Sequence, residues 1–256
     1  MAYGRGPNRL KQGGSKMRDI AFILYSHTDY GDVWEAFFGQ TEEYLPKTFN
    51  RYMFVDSESN FNIPCDFNVV YYKEQESYSN RVASCIDNIR EEFCIFQHED
   101  MMLYDKPNVE KIRKYLDVLK ADEDLDFIKL LKGGDIDDEP YDEHKDLFIV
   151  KKWLFAVQPA IWKTDTLRKI FKHFKNKGIW DLEREAQGEC RQMGVKGVYC
   201  YNGEQQRGKY HWDSTVYPYI ATAINKGRWN MIEYENELEE IFSKYNIDRL
   251  ERGLIK

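Results

Sequence analysis

Three apolar runs in this chain end in polar groups. Ile20 to Ser26 leads into His27-Thr28-Asp29, Arg51 to Val55 delivers Asp56-Ser57, and Phe93 to Gln97 ends in His98-Glu99-Asp100. Ligands of open α/β sheets bind beyond the carboxyl ends of the strands, so three such ends converging mark a candidate site. Glu99-Asp100 is the most informative pair. Two carboxylates crowded behind a buried strand repel each other unless a cation neutralises them. Mg²⁺ and Mn²⁺ prefer such oxygens and bridge to substrate phosphates. There a metal would act as a Lewis acid on a departing diphosphate. The plain alternative is a solvated acidic turn ahead of a helix.

A second acidic group, Trp180-Asp181-Leu182-Glu183, becomes a candidate acceptor site through the family resemblance given below. A hydroxyl is a poor nucleophile until a base takes its proton. Asp181 and Glu183 are two apart and project differently, so one of them is the candidate base, while Trp180 offers a flat apolar face to a sugar ring. On the residues alone an acid-rich first helical turn, favoured by the helix dipole, is the stronger reading. His211, in Tyr210-His211-Trp212-Asp213, reads as a ligand or as a structural histidine. Lys226 and Arg228 could hold phosphate oxygens. Asp135, Asp137, Asp138 and Glu139 do not make a calcium loop, because Pro140 stands where glycine is needed and no spaced Glu closes the set.

The elements that must position these groups are legible in the periodicity. IAFILYS, RYMFV, NVVYY, FCIFQ and FIKLL have the length and continuity of buried strands. Trp34, Phe37, Phe38, Thr41, Tyr44 and Leu45 form one helical stripe, closed by Pro46. A helix capped by Ser79 carries Val82, Ile86, Ile89 and Phe93, and another spans Asn108 to Lys120. The first half is therefore β-α-β-β-α-β-α-β, an α/β layered pattern. After the polar loop GGDIDDEPYDEHKD, LFIVKKWLFAVQPAIW reads as one or two strands. Thr164 caps a helix, a polar helix follows Trp180, GVYCY is a strand, and a closing helix runs near Glu235 to Tyr245.

Composition narrows the functional classes. The 256 residues carry a net charge of −7, which argues against a nucleic-acid partner. A local basic cluster (Lys163, Arg168, Lys169, Lys172, Lys175, Lys177) reads as a solvated helix face, with an acidic acceptor or membrane surface as its alternative. Five cysteines without CxxC spacing predict neither a disulfide framework nor a zinc site, and fit a reducing, cytoplasmic compartment. No apolar run is long enough for a membrane span. Residues 1–18 read as a flexible basic tail ahead of a domain over 19–256. Oligomeric state is open.

SNRVASCIDNIREEFCIFQHEDMML resembles the core of small GT-A-type glycosyltransferases of bacteria and large viruses, family-two-like, where a helix feeds a strand ending in a D-x-D motif. QPAIWKTDTLRKIF, GIWDLE and GKYHWDSTVYPYIATAINKGRWN extend the resemblance in order over roughly Asp19 to Asn230. It implies a GT-A-like (Rossmann-like) single domain with a mixed, mainly parallel sheet flanked by helices. It implies an enzyme that moves a sugar from a nucleotide-diphosphate sugar to a carbohydrate acceptor with Mn²⁺ or Mg²⁺. Asp56 then matches the acid that contacts base or ribose, and Arg81 is placed to contact the nucleotide, with His27, Glu99 and Lys226 grouped at the same donor site. Asp100 matches the second, metal-binding acid and His211 a late histidine that completes the metal or diphosphate site. His98 stands where the first acid is expected; it can ligate Mn²⁺ or bond a ribose but carries no fixed negative charge. Asp181 or Glu183 matches the base of the inverting members, and Trp180 the acceptor side.

Two rivals remain at this level. A sugar nucleotidyltransferase usually has a glycine-rich basic loop after the first strand, where this chain has the acidic SHTDYGD. A non-catalytic carbohydrate- or nucleotide-binding module with a degenerate transferase fold is kept open by His98 in place of an acid.

Overall fold

A computed structural model describes residues 19–58, 60–135, 137–142 and 144–255. The basic segment over 1–18 lies outside the described residues.

The chain order of the first half follows from its apolar runs. Strand β1 (Ile20–Tyr25) is fully buried, α1 (Gly31–Tyr44) follows, then β2 (Asn50–Val55), β3 (Phe67–Tyr71), α2 (Tyr78–Ile86), β4 (Phe93–His98), α3 (Val109–Ala121) and β5 (Phe127–Lys129). The second half supplies β6 (Pro140–Tyr141), β7 (His144–Ile149), β8 (Ala160–Lys163), α4 (Thr164–His173), α5 (Ile179–Gln192) and β9 (Gly197–Cys200). It ends in β10 (Ile224–Asn225), β11 (Arg228–Asn230), α6 (Met231–Tyr245), α7 (Arg249–Arg252) and β12 (Leu254–Ile255).

β1 to β9 form one sheet in the order β3-β2-β1-β4-β8-β5-β9-β7-β6, so both halves share one core. β1, β2, β3 and β4 are mutually parallel, β5 is parallel to β9, and β7 and β8 run the opposite way. This is an α/β sheet flanked by helices, as the strand-helix alternation predicts. Because β1, β2 and β4 are adjacent and parallel, their carboxyl ends share one edge of the sheet.

Strand alternation sorts the helices onto two faces. Phe22 stacks on Phe37 of α1 at 6.4 Å on one face. On the other, Phe96, in the row beside Ile23, meets Phe171 of α4 at 5.6 Å. Each such side chain contributes roughly 1.5–3 kcal/mol by leaving water. At Gly197, paired with Phe127, a Cβ would lie 2.1 Å from the Phe127 ring; the missing side chain lets that ring stack on Trp162 at 4.2 Å.

Several local expectations are corrected. Ser77, not Ser79, caps α2: its Oγ accepts from the Asn80 amide, while Ser79 is buried and its Oγ accepts from the Lys177 amide at 2.9 Å. Thr164 opens α4 but does not cap it, since Lys163 occupies the cap without a side-chain bond. FIKLL is a strand only as far as Lys129. The polar loop holds β6 and the start of β7, and the closing helix begins at Met231 under an Asn230 cap. The cysteines are free, with Cys65 exposed and the other four buried. The basic cluster is largely engaged: Lys172 pairs with Asp87, Lys177 with Glu185, Arg168 with Asp87 and Asp165, and Lys163 donates to two backbone carbonyls. Among the described residues no helix is long and apolar enough to cross a membrane.

Candidate functional site

The parallel register sets the site's frame. Tyr25 pairs with Phe54 on one side and with His98 on the other, so the turns after β1, β2 and β4 lie side by side. After β1, a 3₁₀ turn (Thr28–Tyr30) is pinned to β2: the Thr28 amide and hydroxyl donate to the two Asp56 oxygens at 2.7 and 2.8 Å. Burial pushes the Asp56 carboxyl up, but the Thr28 and Ser57 donors outweigh it and hold the group below its ordinary range. His27 Nε2 lies 3.8 Å from Asp56 and 3.5 Å from Glu74. Arg81 lies over the Tyr72 ring at 5.2 Å, reaches the Tyr25 hydroxyl at 3.4 Å and donates to the Glu74 and Glu76 carbonyls. The structure thus brings His27, Asp56 and Arg81 together, with Arg81 bracing the loop after β3.

The turn after β4 is held from beneath. Gln97 is buried, accepts from the Tyr217 hydroxyl at 2.7 Å and donates to the Met101 carbonyl at 3.1 Å. His98 Nε2 and the Tyr78 hydroxyl are 2.9 Å apart, and burial drives the imidazole down to about 4, so it is neutral. Glu99 is buried and Asp100 half-buried. Burial and the Asp100 charge push the Glu99 carboxyl up, with Ser26 and Arg252 pulling the other way. Burial raises the Asp100 carboxyl too, although the Ile224 amide opposes it. Two neighbouring carboxyls raised in this way form a donor set suited to a hard divalent cation.

A second grouping is less suited. Among the described residues His27, Asp56 and Glu74 are the one set of three or more ligand side chains close enough to share an ion. His27 Nδ1, however, accepts the Asp29 amide at 3.1 Å, which leaves the ring proton of a neutral imidazole on the Nε2 that faces the carboxylates. A metal there would have to displace that proton, and Asp56 is already committed to three donors.

The predicted acceptor-side acids separate. Asp181 is exposed and held by Arg184 at 2.6 Å, and Trp180 is 77% exposed on the outside of α5. Glu183 turns inward, where its carboxylate accepts the Val157 amide at 2.6 Å. Burial pushes this carboxyl up, and the Val157 amide and Lys129 pull it back. Glu183 also acts on Tyr78, which connects it to His98. His211 is buried, 3.3 Å from Glu233 but not aligned for a hydrogen bond, and stacked on Tyr234 at 5.9 Å. Neither it nor Asp100 belongs to a three-ligand grouping among the described residues. Lys226 is exposed, in the two-residue Lys226-Gly227 turn between β10 and β11, with both residues at positive φ as a type I′ turn requires.

The site contains residues that motif reasoning missed. Tyr78 was hidden as a helix residue. Lys129, the last residue of β5, is 1% exposed, and the signal for it was a lysine inside the apolar run FIKLL.

No family model matches the chain, and no curated protein matches it. Among solved structures it is similar to residues 1–349 of TarS from S. aureus (12% identity, 91% of this chain, 68% of that one, TM-score 0.49). It is also similar to a mannosyltransferase from Pyrobaculum calidifontis in complex with GDP-Man and Mn²⁺ (12%, 74% and 58%, TM-score 0.46). A third likeness is to CMP:2-keto-3-deoxy-manno-octonic acid synthetase complexed with CTP (9%, 70% and 88%, TM-score 0.42). At such identities and scores the likeness is to a chain course and assigns no residue a role.

Proposed function

We propose that this chain is a GT-A-like glycosyltransferase that moves a sugar from a nucleotide-diphosphate sugar to a carbohydrate acceptor. The observation that carries the reading is the single sheet edge that holds Asp56, His98 and Glu99-Asp100, with Glu183 turned inward from α5 on the side of the Tyr78–His98 pair. Asp56 and His27 would take the nucleoside end, with neutral His98 as a hydrogen-bonding partner. Glu99 and Asp100 would hold Mn²⁺ or Mg²⁺, which supplies charge neutralisation to the departing diphosphate when bound. Glu183 rather than Asp181 would accept the proton of the acceptor hydroxyl, since it alone of the two faces the strand ends and its raised carboxyl is the better base. A base on the acceptor side corresponds to inversion.

The test is a panel of UDP-, GDP- and TDP-sugars with and without Mn²⁺, read by thermal shift and by release of the nucleoside diphosphate. A shift with one nucleotide, lost in Asp100→Ala, is expected. Pyrophosphate release from a nucleoside triphosphate and a sugar 1-phosphate would replace this reading with a nucleotidyltransferase, and no response to any nucleotide would replace it with a non-catalytic module.

A further inference from the structure

We infer that Lys129 is a positioning residue for Glu183, the cation that keeps this half-buried carboxylate charged beside the strand ends; the inference rests on Glu183 being the base.

The geometry begins with register. Lys129 pairs with Ala160 of β8 and Tyr199 of β9. Ile161, the next residue of β8, pairs with Ile95 of β4, so Ala160 lies in the row of Phe96 and on the same face as His98. Lys129 therefore points to the face that carries Tyr78, Phe171 and the inward side of α5. Val157, whose amide holds Glu183, is three residues before Ala160. Gln187, one turn along α5, clamps the same segment by bonding both the amide and the carbonyl of Phe155 at 3.3 and 2.6 Å. The segment 155–160 thus ties Glu183 to the end of β5.

The Lys129 ammonium has no hydrogen-bond partner among the described residues. Its charged neighbours are Asp135, from the loop after β5, and Glu183, from α5; Tyr199 flanks it in β9 but donates to Asp138. Asp135 uses one oxygen for the Lys151 and Lys152 amides and leaves the other buried and unpartnered. Gln158 Oε1 is likewise buried without a partner, and a Cβ on Gly133 would lie 2.4 Å from it. An ammonium in such a place serves no ion pair of its own, and core packing would be better met by an apolar residue. What it does supply is positive charge to Asp135 and to Glu183, whose carboxylate otherwise has the Val157 amide and, nearby, the neutral Tyr78 hydroxyl.

The experiment compares Lys129→Met and Lys129→Arg with the parent in donor turnover across pH, and repeats Lys129→Met in a Glu183→Gln background by urea unfolding. Without the cation the Glu183 carboxyl rises, so the acidic limb of kcat/KM should move up by roughly one pH unit, an opposite charge nearby being worth at least that. Donor KM should stay within about twofold, and Lys129→Arg should restore the limb. Lys129→Met should also raise the urea midpoint more in the Glu183→Gln background, where no favourable pair is lost. An unmoved limb, or equal midpoint changes in both backgrounds, overturns the inference. Wild-type turnover by Glu183→Gln instead removes the base assignment, and the inference with it.

Discussion

The Tyr78 hydroxyl and His98 Nε2 lie 2.9 Å apart, at the carboxyl end of β4. Tyr78 packs edge-on against Tyr25 and His98, so its ring is fixed independently of that bond. Tyr78→Phe keeps the packing and removes one hydrogen bond. Urea unfolding should show a loss of about 1 kcal/mol. Calorimetric titration with the preferred nucleotide-sugar should show weaker binding, because one His98 nitrogen loses the partner that orients it. Unchanged affinity would place His98 outside the donor site.

The two acids of the acceptor motif make opposite predictions. Glu183→Gln keeps the shape of the group that accepts the Val157 amide but removes the proton acceptor. Its kcat should fall by about 10²–10⁴ with little change in donor KM. Asp181→Asn, on the exposed side of α5 with Arg184, should stay within about twofold of the parent, as surface substitutions do. Steady-state kinetics on purified variants checks both; the reverse ranking would make Asp181 the base.

How far the sequence discloses all this depends on where each signal resides. β1 and β4 are buried on both faces, so IAFILY and FCIF read as strands without ambiguity, and the acids behind them follow. β6 and β10 to β12 are only two or three residues long, so no apolar run marks them. The Ser77 cap was misplaced by two residues because Ser79 has the same chemistry and only tertiary contact with Lys177 separates them. Lys129 escaped because a single charge within FIKLL looks like strand patterning until the fold shows that both its flanks are occupied. Choosing between Asp181 and Glu183 required the direction in which α5 faces, which spacing alone does not give.

Asp56 predicts an acid-dependent stability. Its carboxyl is held below the ordinary value in the fold by the Thr28 and Ser57 donors. The unfolded chain therefore takes up the proton first as pH falls, and the stabilisation is present above about pH 4 and lost through the folded value below it. Asp56→Asn should cost about 1–3 kcal/mol at pH 7, and the gap to the parent should close as pH falls below about 4. Urea midpoints measured at intervals from neutral to acid pH test this; a gap that stays constant would mean that the carboxylate charge contributes nothing.

Lys129 predicts a second pH-dependent stability, on the alkaline side. Burial is the main cause that takes its ammonium down from 10.5 to about 8, with Asp135 and Glu183 pulling back. In the window between those values the unfolded chain binds a proton that the folded chain does not, so stability rises with pH through it. Below about pH 8 the folded protein carries the full cost of the buried charge, about 3 kcal/mol at 1.36 kcal/mol per unit. Lys129→Met has no such charge, so at pH 7 it should be more stable than the parent by about 2–3 kcal/mol. That advantage should shrink steadily toward pH 10.5, where the parent lysine is neutral in the folded chain and half neutral in the unfolded one. Chemical denaturation of the two proteins from pH 7 to pH 10.5 measures it. A mutant that is both more stable and slower in turnover would show a lysine retained at a cost to the fold because the site uses its charge. A less stable mutant would show that Lys129 holds the core together.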